Sequence, residues 1–112
     1  MKNTENKNPK NEHGLTPLHI AASYGHLKIC DLILKNVEDK NPSDQYGETP
    51  LHIAVSYGHF EICDLILKNT ENKNPKNEHG QTPLHIAACK GHLKILDLIL
   101  NFQLIISKLK EK

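Results

Sequence analysis

The chain contains no arginine and no tryptophan, and all 14 of its basic residues are lysine. Without arginine it lacks the planar fork that grips phosphate or guanine bidentately. Three tyrosines and two phenylalanines are too few to build a base-stacking platform. The net charge of +1 gives no global field for a polyanion or a membrane surface. Nucleic acid and membrane are therefore not expected partners. No apolar run approaches the roughly 18–20 residues that cross a bilayer. Met1–Asn6 shows no apolar signal core, so a cytoplasmic location is expected. Three cysteines, an odd number, read as free thiols in a reducing compartment. No Cys-x-x-Cys, His-Glu-x-x-His or glycine-rich phosphate loop occurs, which leaves catalysis, metal binding and cofactors without a footing.

What the chain has is repetition. Thr-Pro-Leu-His-Ile-Ala occurs at Thr16–Ala21, Thr49–Ala54 and Thr82–Ala87, at intervals of 33 residues. Gly14, Gly47 and Gly80 precede the copies, and Gly25-His26, Gly58-His59 and Gly91-His92 follow them. Residues 14–46 and 47–79 agree at 23 of 33 positions, and Asn3–Gly14 is identical to Asn69–Gly80. A fixed period of this length marks a stacked repeat array.

Helix-start rules explain the hexapeptide. Thr16 serves as N-cap, and Pro17 occupies the first helical position, where its missing N–H is harmless. His19, three residues after the cap, reaches back in a reciprocal capping bond. Leu18, Ala21 and Ala22 form an apolar stripe, and Gly25 closes the helix in a left-handed turn. A first helix over about 17–24 and a second over about 27–36 are thereby predicted in repeat one. The second reads Leu27, Ile29, Cys30, Leu32, Ile33, Leu34, apolar nearly all round, as a helix buried between neighbours should be. Repeat two offers Phe60, Ile62, Cys63, Leu65, Ile66 and Leu67 in the same role.

The run Gly14–Leu27 and its two successors resemble the ankyrin repeat, and the resemblance extends from about Lys10 to Asn101. It implies an all-α ankyrin-repeat solenoid of three helix-turn-helix repeats joined by β-turn fingers. One domain over 1–112 is expected, with repeats at about 14–46, 47–79 and 80–101. A polar finger segment covers 1–13, and a C-terminal capping helix 102–112 carries on the stripe Ile95, Ile99, Phe102, Ile106, Leu109. The segment 1–13 duplicates a repeat interior, as in a fragment of a longer array or a product without a dedicated N-terminal cap. Either way the outer face of repeat one (Ile20, Leu27, Leu32) is expected to lack a polar cap. The connectors depart from the family pattern. No glycine ends the second helices, so Asn36 and Asn69 are expected to be left-handed. Lys40 and Lys73 replace an apolar contact, which predicts looser fingers.

Histidines that recur in register (His19, His52, His85 and His26, His59, His92) read as scaffold. Cys30 and Cys63, one repeat apart, suit burial better than a disulfide, whereas Cys89 stands at an exposed helix end. Exposed positions that vary between repeats are better candidates for function. Glu12, His13 and Leu15 become Gln45, Tyr46 and Glu48, then Glu78, His79 and Gln81. Ser23-Tyr24 and Ser56-Tyr57 become Cys89-Lys90. In the family such positions line a concave groove that holds partner proteins. The resemblance thus implies a non-catalytic protein–protein interaction module, with Tyr24, Tyr46 and Tyr57 as anchors. The alternative is an oligomerising fragment of a larger array, monomeric or weakly self-associating through its apolar C-terminal helix and uncapped first repeat.

Overall fold

The computed structural model describes residues 7–110; the ends of the expected segments 1–13 and 102–112 lie outside them. Six helices succeed one another: α1 (Pro17–Tyr24), α2 (Leu27–Asn36), α3 (Pro50–Ser56), α4 (Phe60–Asn69), α5 (Pro83–Lys90) and α6 (Leu93–Lys110). Each odd helix packs on the even helix that follows it, and on its equivalent in the next repeat. The even helices stack in the same way, giving a two-layer stack 42 Å in its longest dimension.

The local chemistry of each first helix is the one predicted. Thr16, Thr49 and Thr82 are extended N-caps whose hydroxyls accept from the backbone N–H of His19, His52 and His85. The histidine Nδ1 accepts in return from the threonine backbone N–H at 3.0–3.1 Å. Proline opens each of these helices, and Gly25, Gly58 and Gly91 (φ +77°, +75° and +72°) turn the chain into the next one.

The histidine does more than cap. Its Nε2 crosses to the next repeat: His19 to the Glu48 carbonyl and His52 to the Gln81 carbonyl, both at 2.8 Å. Because Nδ1 accepts an N–H, Nε2 carries the proton and donates, so the buried ring is neutral. Desolvation pushes the His19 pKa below its ordinary 6.5, against the Glu48 carbonyl and the charge of Asp44, which favour the cation. The unfolded chain therefore takes up a proton near pH 6.5 that folded His19 refuses. Stability from this group is full above about pH 7 and declines as pH falls below 6.5, by at most about 1.4 kcal/mol per unit. Urea midpoints at pH 7.5, 6.5 and 5.5 should fall in that order, and a flat series would contradict the neutral ring.

The second helices end differently from expectation. Among the described residues no non-glycine has a positive φ, so Asn36 and Asn69 are not left-handed. Instead α2 and α4 run out into extended Val37 and Thr70. The lysines make the left-handed turn unnecessary. Lys40 Nζ donates to the Leu34 carbonyl at 2.7 Å and to that of Val37, and Lys73 Nζ to Leu67 at 2.6 Å and to Thr70. Each ammonium thus satisfies carbonyls that a helix end leaves open. Burial lowers the Lys73 pKa despite the pull of Glu71, and its Nζ stands 5.6 Å from the centre of the Phe102 ring.

The core also differs from expectation. In α2 only Cys30 and Leu34 are buried, with Ile29 and Leu32 exposed on the open outer face. One register position is exposed in all three repeats. Leu27, Phe60 and Leu93 open their helices on the exposed side, whereas Ile62, Ile66 and Leu67 are buried. A residue in the first turn has no preceding turn of its own helix to pack along, and here it faces outward. The last helix α6 is continuous to Lys110. Beyond the repeat, Gln103 and Ile106 lie over the connector Glu71–Asn74.

Candidate functional site

The fingers are built around a residue type that the sequence pattern alone did not single out. Asn11, Asp44 and Asn77 each start a turn closed by a bond from the glycine N–H three residues on (Gly14, Gly47, Gly80) to their own carbonyl. Their side-chain Oδ1 accepts two further N–H groups, those of His13 and Leu15, Tyr46 and Glu48, and His79 and Gln81. A short polar side chain that bonds its own backbone two residues on is what such a turn requires. The signal was an Asx recurring three residues before each glycine.

The fingers then join edge to edge. The Gln45 N–H donates to the His13 carbonyl at 3.0 Å, and the Glu78 N–H to Tyr46 at 2.9 Å. This sets the candidate positions Glu12, His13, Gln45, Tyr46, Glu78 and His79 in one exposed row with fixed spacing. Leu15 and Glu48 are half-buried behind it, and Gln81 is exposed. Glu48 is not a free charge: the Asn77 Nδ2 donates to its carboxylate at 2.6 Å and to Gln81 Oε1 at 3.1 Å. His79 stands 3.4 Å from the Glu78 carboxylate.

At the other end of each first helix, Tyr24 stacks on His26 with ring centroids 6.0 Å apart, and Tyr57 on His59 at 6.3 Å. His59 is itself held, its Nε2 bonding the Ser23 carbonyl at 3.2 Å. Gly25 makes that approach possible, since a Cβ there would lie 2.9 Å from the His59 ring. The tyrosine ring is thus placed by a histidine anchored on the previous repeat, a link that local sequence does not reveal. His92 bonds Ser56 in the same way at 3.4 Å, but Lys90 stands where a tyrosine would be.

The cysteines divide as their positions suggest. Cys30 and Cys63 are buried, with thiols pushed by desolvation up to about 11 and about 12, and Cys89 is exposed. Since the thiolate is the reacting form, a thiol–disulfide reagent should label one sulfur in the native chain, Cys89. The other two should react only on unfolding; rapid labelling of all three would refute this burial. Among the described residues, no three His, Cys, Asp or Glu side chains gather as metal ligands. No helix there is long and apolar enough to cross a membrane.

Near-identical helix-turn-helix units, stacked and joined by turns bonded edge to edge, define a helical repeat solenoid. The chain belongs to the ankyrin-repeat family: the family profile described as ankyrin repeats (3 copies) matches residues 1–77 and 38–108. Proteins built of these repeats are generally protein–protein interaction modules. Among curated proteins none matches the chain.

Proposed function

We propose that the chain is a non-catalytic module that binds a partner protein across its fingertips and the ends of its first helices. The observation that carries this reading is the state of the tyrosines. Tyr24, Tyr46 and Tyr57 are 71%, 56% and 63% exposed, although a large ring usually contributes more when covered. Two of them are held against histidine rings, which lowers the entropy lost on binding. Glu12, Glu78 and Lys90 supply the exposed charges that select a partner, while Glu48, tied to Asn77, supports the surface. Ser23, Ser56 and Cys89 flank the tyrosines and their Lys90 counterpart. The free cysteines fit a reducing, cytoplasmic setting.

The test compares proteins retained by the immobilised chain with those retained by the Tyr24→Ala/Tyr57→Ala double variant. Both rings are exposed, so the variant should keep its helical circular dichroism. Retention of the specific partner should fall at least about tenfold, as for loss of interface hot spots. Undiminished retention by the folded variant would reject this surface.

A further inference from the structure

The two ends of the stack are the two halves of an interface that the chain already forms twice within itself. At one end Leu84, His85, Ala88, Leu96 and Leu100 line an open groove of about 310 Å³. Their counterparts one and two repeats earlier are fully buried, because the next repeat lies on them. At the opposite end Ile20 and Ile29 are exposed; Ile29 shows 50% of its surface where Ile62 and Ile95 show 2% and 3%. The glycines agree. A Cβ on Gly14 or Gly47 would meet the next finger's backbone, and one on Gly25 or Gly58 the next repeat's histidine, whereas Gly80 and Gly91 face open space.

Hydrogen bonding makes the two ends complementary and not merely apolar. Three equivalent cross-repeat bonds recur at both internal junctions. At the first, His19 Nε2 donates to Glu48 O, the Gln45 N–H to His13 O, and His59 Nε2 to Ser23 O. At the second, His52 pairs with Gln81, Glu78 with Tyr46, and His92 with Ser56. Advancing this register by 33 residues leaves His85 Nε2 and the carbonyls of His79 and Cys89 at one end. At the other it leaves the Leu15 carbonyl, the Glu12 N–H and His26 Nε2. Among the described residues none of these six groups has a cross-repeat partner.

We propose that the chain stacks head to tail on a second copy of itself, repeat one of the copy seated on repeat three in the register of the internal junctions. His85 then donates to the copy's Leu15 carbonyl, and the copy's Ile20 and Ile29 cover Ala88 and Leu96. A pairing of two identical ends would bury the same leucines without bringing His85 to Leu15. The contact is heterologous, so each added copy leaves the same free ends and the assembly stays open. Two internal contacts are not reproduced, a connector bond and the lysine cap. Gln103 of α6 already bonds Asn74, whose counterpart Asn41 reaches the next connector at Asn72. Lys7 is the counterpart of Lys40 and Lys73, but α6 continues through the helix end that such a lysine would cap. The stack is accordingly weaker than a junction within the chain. It uses the ends of the array and is independent of the fingertip reading.

The test uses the full chain and two variants that each place a charge on one exposed end, Ile29→Glu and Leu100→Glu. By sedimentation equilibrium the unaltered chain should gain average mass with concentration. Each variant should stay at the 12.7 kDa of one chain, because a carboxylate cannot be covered by apolar surface without an ion partner. An equimolar mixture should reach a plateau at twice that mass, since each variant retains the end the other has lost. A single species of monomer mass up to about 1 mM, where even weak association registers, would overturn the proposal. So would self-association of Ile29→Glu alone, which signals pairing of identical ends, or a mixture that stays monomeric. Ile20→Glu and Ala88→Glu serve in place of either variant that does not fold.

Discussion

Replacing His52 with alanine is expected to destabilise the chain by about 4 kcal/mol, against about 1 kcal/mol for the same change at His85. The two residues share sequence surroundings and both cap a threonine N–H, at 3.1 and 3.0 Å. They differ in what covers them. His52 is fully buried and its Nε2 donates to the Gln81 carbonyl, whereas His85 is exposed on the open end. Removing the buried ring leaves the Thr49 N–H without its acceptor, at about 1–3 kcal/mol. It also opens a cavity between repeats of the kind that costs about 2–5 kcal/mol. At His85 water replaces the ring on both counts. With only about 5–15 kcal/mol of total stability in a typical domain, His52→Ala brings the chain near its unfolding threshold. Urea denaturation of both variants measures the difference, and equal losses would show that the cross-repeat bond contributes nothing.

The pair also shows where sequence reading succeeds and where it stops. The Thr-to-His capping bond spans three residues and follows from spacing, and the helix boundaries at Pro17, Tyr24, Leu27 and Asn36 followed from the same local rules. The bond from His52 to Gln81 spans 29 residues and depends on how one repeat lies on the next. Burial is equally non-local: Ile29 and Ile62 occupy the same place in nearly the same sequence, yet one is half exposed and the other buried. Lys40 and Lys73 misled for a related reason. A long flexible side chain takes its partner from the path of the connector, and that path returns the ammonium to the helix end. In the candidate site the variable positions were legible, because variation against a fixed register needs no coordinates. That Glu48 is held by Asn77, and Tyr57 by way of His59, was not.

The second large effect is expected at the fingers, where Gly47→Ala should cost about 3–4 kcal/mol and Gly80→Ala about 1–2. Both glycines have φ +76°, so both substitutions carry the same left-handed strain of about 1–2 kcal/mol. What remains is steric. A Cβ at Gly47 falls 2.8 Å from the Glu78 nitrogen and 3.0 Å from Asn77 backbone atoms, whereas at Gly80 nothing lies within 4 Å. Backbone cannot swing aside as a side-chain tip can, so the fingers must part. The bond from the Glu78 N–H to the Tyr46 carbonyl then lengthens, and Asn77 loses its reach to Glu48. Subtracting the Gly80→Ala result from the Gly47→Ala result in matched denaturation curves isolates this clash, and a difference near zero would mean that the fingers do not abut. The mild member of the pair has a further use. In a head-to-tail stack Gly80 would face the copy's Glu12 N–H as Gly47 faces that of Glu78. Gly80→Ala should therefore cost the monomer only its left-handed strain while the clash falls on its association, whereas Gly47→Ala places that clash at a junction held within one chain.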